Sequence, residues 1–371
     1  MEFTVSKADL VRELSLSQGV VEKKTTIPIL SNVLLEASGD RVILTATDLE
    51  LGVRCSCAAR VKKEGAGTVP ARKLMDYVRL LPEGDVQMKF LENHWVNITC
   101  GRSKTRIAGM SRESFPELPQ MPEAIAQVPV KTLASLITRT SFAISMEESR
   151  FTLSGALLLL RPDNMTMVAT DGHRLAFVQT PCENAGVGQQ FRALIPKKAM
   201  GELVKLADDA GEEAKAEFAG DENHLFFKVG DRLLITRKLT GNFPDYERVL
   251  PKDHTLVAKL QKDEIRAAIE RVAQFADERS RAIRVQFAED EVKVFSSSVE
   301  MGESEETVPG DYKGPTLEIG FNAQYLLDFL RVTSQDQIAF ELKDQKSAGE
   351  MRPAGDTIPD QYRYVVMPMR I

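Results

Sequence analysis

The pattern of apolar and polar positions along the chain repeats three times. A helical pattern at residues 69–80 recurs, without gaps, at 195–206 and again at 321–332, each copy 126 residues after the last. One apolar position of the pattern is shared by Leu74, Met200 and Leu326. One basic position is shared by Arg79, Lys205 and Arg331. Apolar residues at this spacing predict one amphipathic helix in each copy.

A second helical pattern opens each copy, and strand patterns follow it. Ser6 to Asp9 resembles a capping box at the first helix start, and Gly19 is the expected helix stop. The same apolar face recurs at Leu133, Leu136 and Ile137 and at Ile265, Ala268, Ile269 and Val272. Alternating or apolar runs predict strands at 41–48, 86–90, 165–171, 216–218 and 337–342.

These repeats divide the chain into three domains of one fold. A period of 126 residues is far longer than the ~20–50 residues of a solenoid repeat. Each copy has two helices and a run of short strands, which predicts an α+β fold with antiparallel sheets. The predicted domain boundaries are 1–127, 128–256 and 257–371.

Composition adds constraints on compartment and class. The 371 residues are 43% hydrophobic and 27% charged, an ordinary globular balance. No apolar run approaches the ~20 residues of a membrane helix, and no basic and apolar leader is visible at the start. Four scattered cysteines favour reduced thiols over a disulfide framework. We therefore expect a cytoplasmic protein.

Net charge restricts how the chain could meet nucleic acid. It is −6, from 48 basic and 54 acidic residues, whereas a protein that coats nucleic acid is usually basic. Any DNA contact must therefore come from basic residues concentrated on one face. The helical segments carry such residues, although acidic residues are interspersed and a solvated face is the alternative explanation. The candidates are Lys24, Arg72, Arg79, Lys198, Lys205 and Arg331.

Candidate catalytic and metal sites are sparse. Asp171 and His173 could form an acid and base pair, but Asp-Gly more often marks a turn, and no third group stands at a telling spacing. Cys55 and Cys57 alternate as in a strand, and no second pair completes a zinc site. The alternatives to a binding protein are an enzyme that uses Asp171 and His173, or a DNA-binding regulator, for which no helix-turn-helix or zinc signature appears.

Six motifs, in order along the whole chain, resemble the bacterial DNA polymerase III beta sliding clamp family. They are 45–50 (TATDLE), 69–73 (VPARK), 168–175 (VATDGHRL), 242–251 (NFPDYERVLP), 319–322 (IGFN) and 364–370 (YVVMPMR). The resemblance implies three clamp domains per chain and a head-to-tail homodimer that forms a six-domain ring around duplex DNA. It implies no catalysis, no cofactor and no metal. The implied partners are the polymerase III catalytic subunit, the clamp loader, and other polymerases and repair proteins that bind through short peptide motifs.

Domain size supports two chains per ring independently. A domain of this length approximates a sphere ~35 Å across. Four such spheres in a ring leave a hole of only ~15 Å, whereas six leave ~35 Å. A duplex is ~20 Å across and needs the larger hole. Two chains of three domains would supply it.

The resemblance assigns a partner-peptide pocket between the second and third domains. Its residues are Leu153, Thr170, Gly172, His173, Arg174, Leu175, Pro244, Arg248, Val249, Asn322, Tyr325, Val365, Val366, Met367, Pro368, Met369 and Arg370. Apolar side chains would form the groove, and Arg174 and Arg248 are expected to hold polar groups of the peptide. Thr152 and Ser280 stand where relatives often have aromatic residues, and the loop after Met146 is acidic at Glu147 and Glu148.

Head-to-tail closure requires two unlike surfaces on each chain. A basic and partly apolar stretch in the first domain is expected to meet an acidic stretch in the third domain of a second chain, with Ile107 and Phe275 at the apolar centre. The predicted interface residues are Lys73, Arg102, Lys104, Arg106, Ile107, Phe275, Glu303, Glu305 and Glu306.

Overall fold

The computed structural model of the protein describes residues 1–21, 26–147, 149–188, 190–299, 301–355 and 360–370. The predicted DNA contact Lys24 and the predicted loop residue Glu148 lie outside these residues. Within the described chain no helix is long and apolar enough to cross a membrane. The helices are α1 (Lys7–Val20), α2 (Ala71–Leu80), α3 (Val130–Thr140), α4 (Lys197–Asp208), α5 (Lys262–Val272) and α6 (Ala323–Val332).

All six helices occur where the apolar periodicity predicts them. The repeated helical pattern corresponds to α2, α4 and α6, and its three shared apolar residues are buried, each at most 1% exposed. Each of these helices begins about two residues after the pattern does, because the preceding residues, such as Val69 and Pro70, end a strand. The second pattern corresponds to α1, α3 and α5.

Short antiparallel strands make up most of the remaining structure, and they include all five predicted strand segments. The strands are β1 (Glu2–Ser6), β2 (Asn32–Ser38), β3 (Arg41–Thr47), β4 (Leu51–Ala58), β5 (Arg60–Lys63), β6 (Gly65–Pro70), β7 (Asp85–Phe90), β8 (Trp95–Cys100), β9 (Ser103–Ala108), β10 (Ala126–Pro129), β11 (Gly155–Arg161), β12 (Asn164–Thr170), β13 (Arg174–Pro181), β14 (Phe191–Pro196), β15 (Lys215–Gly220), β16 (His224–Val229), β17 (Arg232–Arg237), β18 (Leu256–Gln261), β19 (Ala282–Ala288), β20 (Glu291–Ser298), β21 (Gly302–Tyr312), β22 (Leu317–Asn322), β23 (Gln337–Leu342), β24 (Gly349–Ala354) and β25 (Gln361–Val366).

The chain folds into two compact units. Unit 1 comprises Met1–Ala134 and Lys198–Lys238, and unit 2 comprises Ser135–Lys197 and Leu239–Ile371. Unit 1 contains a five-stranded sheet in the order β5-β1-β7-β8-β9 and an eight-stranded sheet in the order β10-β15-β16-β17-β4-β3-β2-β6. Unit 2 contains a twelve-stranded sheet in the order β14-β11-β12-β13-β25-β24-β23-β18-β21-β20-β19-β22.

Helix α1 in unit 1 confirms the predicted start but not the predicted stop. Ser6 caps the helix, because its hydroxyl accepts the backbone N–H of Asp9 at 3.1 Å. The helix continues through Gly19 to Val20. Gly19 instead lies beside the end of a side chain from α4: a Cβ there would lie 1.9 Å from a carboxylate oxygen of Glu202, which would have to move. The glycine therefore leaves room for the Glu202 carboxylate, which pairs with Lys205 at 2.7 Å.

A buried ion pair also joins α1 to the eight-stranded sheet of unit 1. Glu13 is 2% exposed and accepts from Nη2 of Arg232 at 2.8 Å and from its Nε at 3.0 Å. The hydrogen bond to Glu13 is the main reason that the pKa of Arg232 lies above its ordinary value. Cys55 on β4 packs beneath the same helix, as its Sγ lies 3.7 Å from the Glu13 carbonyl oxygen.

Unit 2 is organised around strands that are buried on both faces. β11 carries four consecutive leucines at 157–160, and all four are at most 3% exposed. Aromatic rings extend this core toward α6, where Phe329 stacks on Tyr364 with ring centroids 5.3 Å apart. Tyr364 in turn donates to the Tyr325 carbonyl at 2.8 Å, which fixes α6 on β25.

Candidate functional site

A small apolar pocket opens on unit 2 beside the turn that joins β12 to β13. Its volume is about 120 Å³. The end of β25 and the segment 244–249 complete its walls. The lining residues are Leu153, Thr170, Gly172, His173, Arg174, Leu175, Pro244, Tyr246, Val249, Val365 and Met367. The structure thus brings together ten of the seventeen predicted pocket residues and adds Tyr246.

Hydrogen bonds within the β12–β13 turn explain its sequence. The Asp171 carboxylate accepts the backbone N–H groups of His173 at 2.9 Å and Arg174 at 3.0 Å. Gly172 has a φ of 88°, a conformation that favours glycine. Arg150 covers the turn by donating to the Asp171 carbonyl at 2.7 Å. The pocket wall is therefore a rigid turn held from both sides.

The pocket floor belongs to the core of unit 2. Leu175 on β13 lies opposite Val365 on β25, and both are at most 2% exposed. The Tyr246 ring packs 5.9 Å from the Phe177 ring beneath it. Such a preformed apolar floor can accept an apolar side chain of a ligand without rearrangement of the core.

Met367 forms an exposed part of the rim. It follows β25, is 41% exposed, and donates its backbone N–H to the His173 carbonyl at 2.9 Å. Methionine has three rotatable side-chain bonds and a polarisable sulfur, which suits a wall that adjusts to different side chains. Met369 continues the segment and donates to the Gly320 carbonyl at 2.8 Å, so the backbone around Met367 is held at two points.

Arg174 is an anchor beneath the pocket. Its Nε lies 3.1 Å from Asp171, its Nη1 lies 2.5 Å from Asp328 on α6, and its Nη2 donates to a backbone carbonyl at 2.5 Å. The guanidinium also lies 4.3 Å from the centre of the Tyr325 ring. The side chain is only 9% exposed.

This environment keeps Arg174 charged and fully engaged. Burial opposes its charge, but the neighbouring Tyr364 and Asp328 outweigh burial and raise the pKa of Arg174 above its ordinary value. All three of its nitrogens already donate within unit 2, so Arg174 has little capacity left for the polar groups of a peptide that it is expected to hold. Arg174 instead ties the β12–β13 turn to α6.

The other predicted pocket residues lie around the pocket and do not line it. Arg248 projects into solvent, where its side chain is 86% exposed and pairs with Asp245 at 2.8 Å. Asn322 caps α6 through the N–H of Gln324. The predicted residues outside the lining are Arg248, Asn322, Tyr325, Val366, Pro368, Met369 and Arg370.

The geometry does not favour acid and base chemistry by Asp171 and His173. The Asp171 carboxylate is committed to the turn and to Arg174. His173 is exposed, and its backbone rather than its ring makes the contacts with the carboxylate. Asp171 is therefore a turn residue, and His173 forms part of the pocket wall.

A cluster of His254, Glu341 and Glu350 in unit 2 has ligand atoms within 4.8 Å of one another. Arginines already neutralise its carboxylates: Glu350 accepts from Arg352 at 2.8 Å and from Arg363 at 2.6 Å. Two guanidinium groups beside the cluster disfavour a bound cation. The geometry indicates a structural ion-pair network.

The basic residues predicted to contact DNA occupy helices, and most have acidic neighbours. Arg79, Lys205 and Arg331 each lie in the last turn of a helix, namely α2, α4 and α6. Lys205 pairs with Glu202 at 2.7 Å and Arg331 with Glu270 at 3.3 Å. Lys198 pairs with Asp48, while Arg72 and Arg79 have no ion pair within the described chain. All five of these helical cations remain at least partly exposed.

Six of the nine predicted interface residues lie on two strands with open edges, whereas Arg102 precedes β9, Lys73 lies in α2 and Phe275 follows α5. β9 is the last strand of the five-stranded sheet and carries Lys104, Arg106 and Ile107. In unit 2, β21 pairs with β20 through residues 302–309 but with β18 only through 310–312, which leaves 302–307 unpaired on one side among the described residues. Both strands therefore present free backbone groups.

Contacts within the chain modify the charge pairing expected at these edges. Glu305 already pairs with Lys293 at 3.0 Å, and Glu306 pairs with Arg271 at 2.6 Å. Glu303 is exposed and has no ion pair within the described residues. Ile107 is 8% exposed, and Phe275 is half-buried rather than exposed.

Sequence comparison covers almost the whole chain with one family. Residues 1–119, 127–245 and 247–370 match the N-terminal, central and C-terminal domains of the DNA polymerase III beta subunit. A beta sliding clamp of Pseudomonas putida is 35% identical over the full length of both chains. The chain belongs to the DNA polymerase III beta subunit family.

Solved structures of this family agree with the fold. A sliding clamp from Pseudomonas aeruginosa bound to griselimycin is 34% identical and superimposes with a TM-score of 0.93 over all of both chains. A beta sliding clamp from C. crescentus, with polyethylene glycol bound to its putative beta-motif tethering region, is 34% identical with a TM-score of 0.91 over all of both chains. Membership in the beta subunit family confirms the predicted α+β class and the three domains of one fold, and it is the finding that excludes an enzyme.

Proposed function

We propose that the protein is a DNA sliding clamp that encircles duplex DNA and tethers the replicative polymerase. The observation that carries this proposal is the match of all three family domains along one chain, together with an intact apolar pocket on unit 2. The clamp performs no chemistry and needs no cofactor. Its work is mechanical, since it keeps the polymerase at the DNA between successive additions of nucleotides.

The proposed ring consists of two chains and six domains, with domain boundaries at 1–127, 128–256 and 257–371. The open edges of β9 and β21 support head-to-tail closure, because strands on unlike surfaces of one chain can pair in a closed two-chain ring. Lys104 and Arg106 on β9 and Glu303 on β21 have opposite charges, which favours this pairing over pairing of like edges.

The proposed partner pocket is the apolar cavity with the Met367 rim. Short peptide motifs of the polymerase III catalytic subunit, the clamp loader and other replication and repair proteins would place apolar side chains against Leu175 and Val249. Backbone groups at the rim would bind the peptide main chain. The identity of these partners follows from the proposed clamp function, as does a cytoplasmic location at the nucleoid.

Direct contacts with DNA are proposed to be few and independent of sequence. Arg72 and Arg79 have no intramolecular ion pair among the described residues and can meet phosphates without loss of another contact. Lys198, Lys205 and Arg331 would exchange an acidic neighbour for phosphate. Phosphate contacts position a protein without reading bases, and they weaken as salt rises.

A charge-exchange experiment tests the ring. One chain carries Lys104→Glu with Arg106→Glu, and another carries Glu303→Lys with Glu305→Lys. Each variant alone should sediment near the 41.2 kDa chain mass, since like charges then face each other at both interfaces. An equimolar mixture should restore a species of twice that mass, because both interfaces of the mixed ring pair opposite charges. Dimers from either variant alone, or monomers in the mixture, would contradict this assignment.

A truncation tests the pocket. Removal of residues 367–371 should abolish binding of a fluorescent peptide from the polymerase III catalytic subunit, while the sedimented mass stays that of the wild type. Met301→Ala is the matched control, because Met301 is exposed on unit 2 and lies outside the pocket. Unchanged peptide affinity in the truncated protein would contradict the proposed site.

A further inference from the structure

The same three-strand arrangement occurs in both units, but with different side chains. In unit 2, β11, β12 and β13 place Leu157, Val168 and Phe177 directly opposite one another. In unit 1, β2, β3 and β4 pair in the equivalent register and place Leu34, Thr45 and Arg54 in that row. Each residue of the row in unit 2 lies 123 residues after its counterpart in unit 1. An apolar row in one unit thus corresponds to a partly polar row in the other.

A connecting segment covers each row. The space between the segment and the row is packed with side chains in unit 2 but remains a cleft in unit 1. In unit 2, Leu157, Val168 and Phe177 pack into a continuous core with Phe243 and Leu250. In unit 1, the corresponding segment contributes Phe115, Pro116 and Leu118, and a cleft of about 350 Å³ remains beneath it. This volume falls within the ~300–1,000 Å³ range of small ligand pockets. Thr45 and Arg54 thus border a space of ligand-binding size, whereas the equivalent residues of unit 2 belong to its core.

Thr45 lines this cleft, and its hydroxyl has no hydrogen-bond partner among the described residues. Thr45 is 2% exposed, and its Oγ1 is buried with no hydrogen-bond partner among the described residues. An unpaired buried hydroxyl disfavours folding, and valine occupies the equivalent position in unit 2. A buried hydroxyl without a partner beside a cleft of this size points to a ligand that completes its hydrogen bonding.

Arg54 supplies further unpaired donors beside Thr45. It lines the cleft, and its guanidinium makes no hydrogen bond or ion pair with any described residue. Arginine offers five N–H donors and no acceptor, and a threonine hydroxyl can also donate. Carbonyl oxygens spaced along an extended peptide would satisfy both residues.

Acidic residues at the cleft bear on the charge that a ligand should carry. Glu36 is already paired with Arg112 at 3.3 Å. Glu113 and Glu117 also line the cleft, are exposed, and have no ion pair among the described residues. These two carboxylates outnumber Arg54, the unpaired cation of the lining among the described residues, so the net charge of the cleft favours a basic side chain in the ligand over an acidic one.

We propose that this cleft of unit 1 binds a short basic peptide segment of a partner protein. Main-chain carbonyls of the segment accept from Thr45 and Arg54. An apolar side chain packs against Phe115 and Leu118, and a Lys or Arg side chain reaches the two free glutamates. The site is separate from the apolar pocket of unit 2, and the proposal does not depend on the clamp function.

Two tripeptides of opposite charge test the proposal on the full chain. Acetyl-Leu-Lys-Leu-amide and acetyl-Leu-Glu-Leu-amide are titrated into protein with labelled leucine methyl groups. The basic tripeptide should shift the methyl signals of Leu34 and Leu118 in a saturable way, and the acidic tripeptide should not. Equal binding of both peptides, or no saturable shift at these methyls up to 10 mM or so, would overturn the proposal.

Matched hydroxyl removals separate a ligand role from a structural one. Thr45→Val should weaken binding of the basic tripeptide about fivefold or more, while the midpoint of thermal unfolding stays the same or rises. Thr166→Val is the control, since it removes a buried hydroxyl from unit 2 that is 3.4 Å from Gln179. It should leave tripeptide binding unchanged. A lower unfolding midpoint with unchanged binding in Thr45→Val would assign the hydroxyl to folding and overturn the proposal.

Discussion

Replacement of Arg174 by Gln should strongly destabilise unit 2. The guanidinium is 9% exposed, so solvent screens its interactions little. Its removal leaves Asp328 without the contact at 2.5 Å, Asp171 without the contact at 3.1 Å, and the Tyr325 ring without its cation. Breaking one side of a buried charge pair costs ~3–5 kcal/mol. We expect a loss of that size for Arg174→Gln.

Arg248→Gln is the matched control. Arg248 also pairs with an aspartate three residues away, but its side chain is 86% exposed. Exposed pairs contribute at most ~1 kcal/mol, and most surface substitutions stay within ~0.5 kcal/mol. The double variant Arg174→Met with Asp328→Leu should cost less than the sum of the single changes, because neither charge is then left alone.

Hydrogen exchange of the α6 backbone amides measures this loss within unit 2. The only tryptophan, Trp95, lies in unit 1, so its fluorescence during urea unfolding provides a separate probe of that unit. Arg174→Gln should lower the protection of α6 far more than it shifts the Trp95 transition. A loss below ~1 kcal/mol, or a loss equal to that of Arg248→Gln, would refute the anchoring role.

Three substitutions in unit 1 and one chemical modification have definite expected outcomes. Glu13→Ala leaves Arg232 with the more exposed Asp209 as its remaining partner and should lower the stability of unit 1 by ~1–3 kcal/mol in urea unfolding followed by Trp95. Gly19→Ala should lower it as well, because the added methyl would push the buried Glu202 carboxylate out of its pair with Lys205, whereas Gly201→Ala meets open space and should raise it by ~0.5–1 kcal/mol. Burial raises the pKa of Cys57 from 9.0 to about 12, so its thiol should resist alkylation at pH 8 in the native protein.

The raised pKa of Cys57 also predicts a pH dependence with a definite sign. Below pH 9 the thiol is protonated in both states and contributes no difference. Between pH 9 and about 12 the unfolded thiol ionises while the folded one stays protonated, so stability falls as pH rises through this window. Cys57→Ala should remove that part of the slope, and an unchanged slope would contradict the burial of the thiol.

The helices could be predicted from the sequence because apolar spacing and capping residues involve only neighbouring positions in the chain. Apolar spacing and the Ser6 cap are sufficient for α1, and the same holds for the strand alternation around Cys55. Gly19 was assigned wrongly as a helix stop. Its real constraint is Glu202, far away in sequence, and no local pattern contains that contact.

The candidate site could be predicted in part, where its residues are neighbours in the sequence. The motifs locate the turn at Asp171 and the apolar rim at Met367, because both are continuous in sequence. The roles of the two arginines were not predictable, since both stand in polar turn sequences. Only the packing of α6 decides that Arg174 is buried and Arg248 exposed. Tyr246 was missed because an aromatic residue in a turn has no distinctive spacing.

Retention on DNA tests the central claim most directly. The protein is loaded on circular duplex DNA by an ATP-driven clamp loader, the salt is raised until direct binding is abolished, and the DNA is then cut once. A closed ring should remain on the intact circle at that salt and slide off the linear form, because escape from a circle requires opening of an interface. Equal retention on the two forms, or loss from intact circles in parallel with direct binding, would contradict the account.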